Sequence, residues 1–80
     1  MKYLLFTTPM CPNCPSMKEF MTGVKMLGEF VDASTDDGLK KASDFGVSSV
    51  PTVLFLDDKD EVVSKAHTVN DARAAIDKEQ

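Results

Sequence analysis

Two cysteines stand three positions apart in Cys11-Pro12-Asn13-Cys14, and they are the only two in the chain. Two thiols at this spacing suit thiol–disulfide exchange. One thiolate attacks a disulfide, and the second must lie close enough to resolve the mixed intermediate. The pair follows an apolar run, Tyr3-Leu4-Leu5-Phe6, and precedes a segment of helical periodicity. A dithiol between a strand and a helix reads as a redox motif. A helix start favours an anion, so it would lower the pKa of the first thiol.

The elements that must position this pair can be read along the chain. Residues 2–7 form an apolar run with no polar face, which predicts a strand in the middle of a sheet. Thr7-Thr8-Pro9-Met10 is then a turn. A first helix is predicted from Pro12 or Pro15 to Met26, with Met17, Phe20, Met21 and Val24 on one apolar face. Gly28 is read as its end, and Phe30-Val31-Asp32-Ala33 as a short second strand. Ser34-Thr35-Asp36-Asp37 is rich in N-cap residues and predicts a helix to Phe45. Leu39, Ala42 and Phe45 are its apolar positions, and Gly46 is its C′ residue. Thr52-Val53-Leu54-Phe55-Leu56 and Glu61-Val62-Val63-Ser64-Lys65 read as an antiparallel hairpin across Asp57-Asp58-Lys59-Asp60. A last helix begins at Thr68, with Asp71 three positions on. The order is β-α-β-α-β-β-α. It predicts one α/β domain over residues 1–80, a four-stranded mixed sheet flanked by helices. The first βαβ unit should be parallel and right-handed.

Composition narrows the function. The 80 residues carry a net charge of −4 and no Lys/Arg cluster, which argues against nucleic acid. No stretch approaches the roughly 20 apolar residues of a membrane span. The apolar run at the N-terminus is too short for a signal peptide and lacks a small-residue cleavage site. A cytoplasmic location is expected, where a lone C-x-x-C is catalytic more often than structural. A monomer is expected.

Thr8-Pro9-Met10-Cys11-Pro12-Asn13-Cys14, Val50-Pro51-Thr52 and the element order together resemble the thioredoxin superfamily, and within it the small glutaredoxin-like redoxins. The resemblance covers almost the whole chain and implies a thioredoxin-like fold. By that resemblance, Cys11 is the exposed nucleophile and Cys14 the buried resolving thiol. Pro51 is a cis proline beside the dithiol, and the backbone of Val50 pairs with an extended substrate. Met10, Pro12, Asn13 and Thr52 complete the substrate-binding set, with Met10 as part of an apolar rim. The resemblance also implies a disulfide-containing protein as substrate. A thioredoxin-reductase-like enzyme or a small thiol would supply electrons, and no cofactor beyond the two sulfurs is needed. A dedicated partner such as a ribonucleotide reductase follows by analogy alone.

The chain departs from the family at several points. Redoxins that use glutathione carry a Gly-Gly pair after the fourth strand, where this chain has Ser64-Lys65-Ala66-His67. The close backbone approach that glycine permits is missing there. Met10 replaces the tryptophan that precedes the motif in thioredoxins, and Asn13 stands where many glutaredoxins have tyrosine. Pro15 disfavours the α conformation at Cys14 and takes a donor from the first turn. The expectation is a Cys11 pKa that is lowered, but not to an extreme value.

Three other readings stay open. Glutathione could be the electron source. The dithiol could hold zinc, although only His67 and carboxylates remain as further ligands and structural zinc takes four. Two chains could share an iron–sulfur cluster through Cys11, with glutathione or all four dimer cysteines as ligands. No metal is expected. His67, the only histidine, is read as a surface or packing residue, and Lys18 as a solvated one.

Overall fold

The computed structural model describes residues 1–79; Gln80, the last residue of the expected domain, lies outside the described residues. The elements are β1 (Lys2–Thr7), α1 (Cys14–Thr22), β2 (Leu27–Asp32), α2 (Asp36–Asp44), β3 (Thr52–Leu56), β4 (Val62–Ala66) and α3 (Val69–Glu79). The sheet runs β2-β1-β3-β4. β1 pairs in parallel with β2 and antiparallel with β3, and β3 pairs antiparallel with β4. The thioredoxin-like α/β arrangement read from the sequence is the one observed.

The two central strands explain the two-sided core. Side chains alternate across a strand, so each apolar run feeds both faces. Tyr3 and Leu5 of β1, with Val53 and Phe55 of β3, pack against Met17 and Met21 of α1 and Ala72 and Ile76 of α3. Leu4 and Phe6, with Leu54 and Leu56, pack on the other face against Val31 and Ala42. This double burial is why neither strand shows a polar alternation in its sequence.

The first helix is shorter than expected. It begins at Cys14 with Asn13 as N-cap, and ends at Thr22 with Gly23 as C-cap. Pro15 falls in the first turn, where a missing N–H costs no helical bond. Val24 is half-buried against the core, so the apolar spacing is real, but the chain there is no longer helical. The N–H groups of Gly23 and Val24 donate three residues back, to Phe20 and Met21, closing the last turn tightly.

The second strand starts earlier than expected, at Leu27, and ends at Asp32; Ala33 adds one further N–H bond to the Thr7 carbonyl. It therefore contains Gly28, which the sequence reading took as a helix end. A Cβ at Gly28 would run into the Tyr3 ring, so glycine here lets the edge strand lie against an aromatic neighbour. Leu39 of α2 is also corrected. It is 61% exposed, and Ala42 with half-buried Phe45 makes the contact with the sheet.

The caps follow the sequence closely. The Thr35 hydroxyl accepts the Gly38 N–H at 3.0 Å at the start of α2. At its end, the Val47 N–H reaches the Ala42 carbonyl and the Gly46 N–H reaches Ser43. This is a Schellman closure, and Gly46 takes the positive φ of 71° it needs. Thr68 accepts the Asp71 N–H at 3.0 Å and caps α3. β4 spans Val62–Ala66, one residue later than expected, with an irregularity between Phe55 and Leu56. Between β2 and α2, the Asp32 carboxylate accepts the Ser34 hydroxyl and N–H at 2.6 and 2.9 Å. Those bonds, the hydroxyl's first, hold its carboxyl below the usual range. Among the described residues, no helix is long and apolar enough to cross a membrane.

Candidate active site

β1 ends at Thr7 and α1 begins at Cys14, so the dithiol occupies the connection between a central strand and a helix start. Cys11 and Cys14 are joined as a disulfide, with Cα atoms 5.4 Å apart. The Cys11 N–H donates to the Thr8 carbonyl at 3.2 Å, which tightens the loop ahead of the helix. Cys14 is the first helical residue and is 2% exposed. Cys11 lies ahead of the N-cap and is 9% exposed. The expected order of accessibility is present, but Cys11 is not the open thiol first expected. In the oxidised pair its sulfur is bonded to that of a buried neighbour.

The other expected site residues separate into two groups. Pro12 and Asn13 are exposed between the cysteines, and Met10 is 89% exposed on the approach. Val50 is half-buried and Pro51 buried, and the peptide bond between them is cis. Thr52 differs from expectation. It is 2% exposed, and its hydroxyl donates to the Ser49 carbonyl at 2.7 Å. The same oxygen lies 3.2 Å from Nδ1 of His67. Thr52 therefore supports the site from within and is not on the surface a substrate would meet.

A groove of about 240 Å³ brings two of these residues, Asn13 and Pro51, together. Asn13, Ser16 and Met17 form one wall, Pro51 lies at its side, and His67, Thr68 and Val69 form the other wall. It thus runs between the start of α1 and the start of α3, alongside the Cys11–Cys14 loop. Ser16, His67, Thr68 and Val69 were not expected there. A sequence signal existed only for Thr68, as the N-cap that brings a helix start to the sheet edge. His67 also borders a smaller hollow of about 160 Å³ with Ser48 and Lys65. A further hollow of about 360 Å³ is lined by Lys2, Tyr3 and Leu27 at the opening of β1 and β2. That is the far end of β1 from the dithiol, and it contains neither cysteine.

The arrangement matches known proteins along most of its length. The sequence profile of the glutaredoxin family matches residues 4–61. A protein of Archaeoglobus fulgidus named a probable thioredoxin is 37% identical over 57 residues, 66% of this chain; the chain spans 63% of that relative's length. The solved structure of thioredoxin O2 from Arabidopsis thaliana, in its oxidised state, superposes with a TM-score of 0.85 at 15% identity, over 96% of this chain and 72% of that one. A chain from the complex of ferredoxin:thioredoxin reductase with thioredoxin f2 superposes with a TM-score of 0.78 at 26% identity, over 98% of this chain and 76% of that one. The profile match begins in β1, takes in the whole dithiol loop and the Val50–Pro51 segment, and ends past β3. That span covers more than half of the chain and holds the dithiol, so the chain belongs to the glutaredoxin family of thioredoxin-superfamily redoxins.

Proposed function

We propose that this chain is a thiol–disulfide oxidoreductase that reduces disulfides in a partner protein. The observation that carries the reading is the Cys11–Cys14 disulfide itself, placed between β1 and α1 with the first sulfur's residue more accessible than the second.

The reaction then runs in two exchanges. The Cys11 thiolate attacks one sulfur of the partner's disulfide. A new sulfur–sulfur bond forms to the partner, and the partner's other sulfur leaves as a thiolate that takes a proton from water. The Cys14 thiol loses its proton and attacks Sγ of Cys11. The Cys11–Cys14 bond forms, and the partner's second thiolate departs. Two electrons have passed from the dithiol to the partner, so no further cofactor enters. A reductase or a small thiol must return two electrons to the oxidised pair. Val50 backbone groups beside Pro51 would hold the partner segment as an added strand, with Met10, Pro12 and Asn13 along its path.

The similarity to a chain of the ferredoxin:thioredoxin reductase complex supports a reductase as electron source. The glutaredoxin profile match supports glutathione as the second reading. The Ser64–His67 stretch, without a glycine pair, favours the first. We assign the protein to a reducing compartment such as the cytoplasm, where an isolated dithiol serves catalysis.

A stoichiometric experiment tests the exchange. The reduced protein is mixed with a protein disulfide, quenched in acid, alkylated and weighed. One disulfide should form at Cys11–Cys14 for each partner disulfide lost. A dithiol that stays reduced while the partner remains oxidised would contradict the reading.

A further inference from the structure

His67 follows the end of β4, and the fold brings it to the wall of the groove that Asn13 and Pro51 also line. Its ring is held in one sense by hydrogen-bond arithmetic. A threonine hydroxyl has one proton to give. Thr52 gives it to the Ser49 carbonyl at 2.7 Å, so toward His67 the oxygen can only accept. Nδ1 of His67, 3.2 Å away, must therefore carry a hydrogen. In the neutral ring the other nitrogen, Nε2, is then an acceptor. Nε2 has no hydrogen-bond partner among the described residues, and His67 is exposed.

An acceptor anchored on a buried threonine is pre-ordered, so little freedom is lost when a donor meets it. The walls indicate the donor. Asn13, Ser16, Met17, Pro51, Thr68 and Val69 carry no charge. A neutral, partly apolar groove suits an extended peptide backbone better than a charged side chain.

We propose that His67 is a specificity-determining residue, whose Nε2 accepts a hydrogen bond from a backbone N–H of the peptide flanking the partner's disulfide. The proposal rests on the exchange function above and deepens it. It makes His67 a reader of peptide disulfides as opposed to small ones, which offer no backbone.

The test is a ratio. The reduced protein is oxidised by a disulfide-bridged peptide with alanine and glycine flanks, and separately by hydroxyethyl disulfide. The second-order rate constants are read by acid quench and mass. In His67→Ala, the ratio of peptide to small-disulfide rate should fall about fivefold to tenfold, the size of one net hydrogen bond. Two further variants separate contact from support. In His67→Gln the side-chain amide reaches the place of Nε2, and in His67→Asn it reaches only that of Nδ1. Glutamine should restore the ratio and asparagine should not. An unmoved ratio in His67→Ala, or rescue by asparagine alone, would overturn the proposal and leave His67 as a support for Thr52. If neither disulfide oxidises the unaltered dithiol, it is the exchange function that fails.

Discussion

Cys14→Ser should trap the partner. In this variant Cys11 can still attack a disulfide, but the intramolecular thiol that would release the product is gone. Release then depends on a thiol from solution at millimolar concentration, without the advantage of a held neighbour. The expected loss of turnover is on the order of a thousandfold or more, because well-placed intramolecular groups act at very high effective concentration. Intact mass should show one partner joined covalently to the chain. Cys11→Ser should abolish turnover and give no adduct, since the remaining thiol at position 14 is 2% exposed in the native fold. The pair of variants gives the two roles opposite signatures. An active Cys11→Ser protein, or an adduct on Cys14 in place of Cys11, would reverse the assignment.

Phe55→Ala should unfold most of the protein. Phe55 is fully buried in a central strand, between the β1 and β4 neighbours Tyr3 and Ser64. Removing a buried phenylalanine side chain costs about 3–5 kcal/mol in transfer and cavity terms. A core of this size supplies roughly 3–5 kcal/mol of net stability. The two quantities match, so no margin is left. Urea unfolding followed by far-ultraviolet circular dichroism should show a lost or strongly reduced native baseline. Leu39→Ala, on the exposed side of α2, should change stability by less than about 0.5 kcal/mol. A cooperative Phe55→Ala transition displaced by less than about 1 kcal/mol would mean that the core tolerates the cavity by repacking.

Both predictions rest on features that the amino-acid sequence displays openly. The dithiol, the Val50-Pro51-Thr52 segment and the apolar runs of β1 and β3 are local patterns. A strand buried on two faces has no choice but to be apolar throughout, so its place in the sheet is visible in its composition. β2 is different. It is an edge strand with only Val31 buried, and its first residue, Leu27, is 83% exposed. Such a strand needs no hydrophobic alternation, and its start was missed. Gly28 was misread for a related reason. Glycine marks both helix ends and close approaches, and only the Tyr3 ring, distant in sequence, shows which applies. The end of α1 was overrun because Val24 keeps the apolar spacing after the helical bonds have stopped.

The same contrast divides the site. Cys11 and Cys14 are neighbours in the chain and declare themselves by spacing. The environment of His67 depends on Thr52, 15 residues away, and on Asn13 and Ser16 from another element. Nothing near His67 in the sequence points to any of them. Thr52 stands beside Val50 and Pro51 in the expected substrate set, yet β3 is buried along its whole length and Thr52 with it. A substrate list drawn from two short stretches of the chain therefore missed one wall of the groove.

The central claim is that Cys11 and Cys14 form a reversible redox pair. Equilibration against thiol buffers of graded potential, followed by alkylation and mass measurement, tests it most directly. The expected result is a single two-electron transition with a midpoint between roughly −270 and −200 mV, the range from thioredoxin-like to glutathione-coupled dithiols. A pair that stays reduced across the series, or that alkylates only after a chelator is added, would contradict the account and make the motif a metal-binding one.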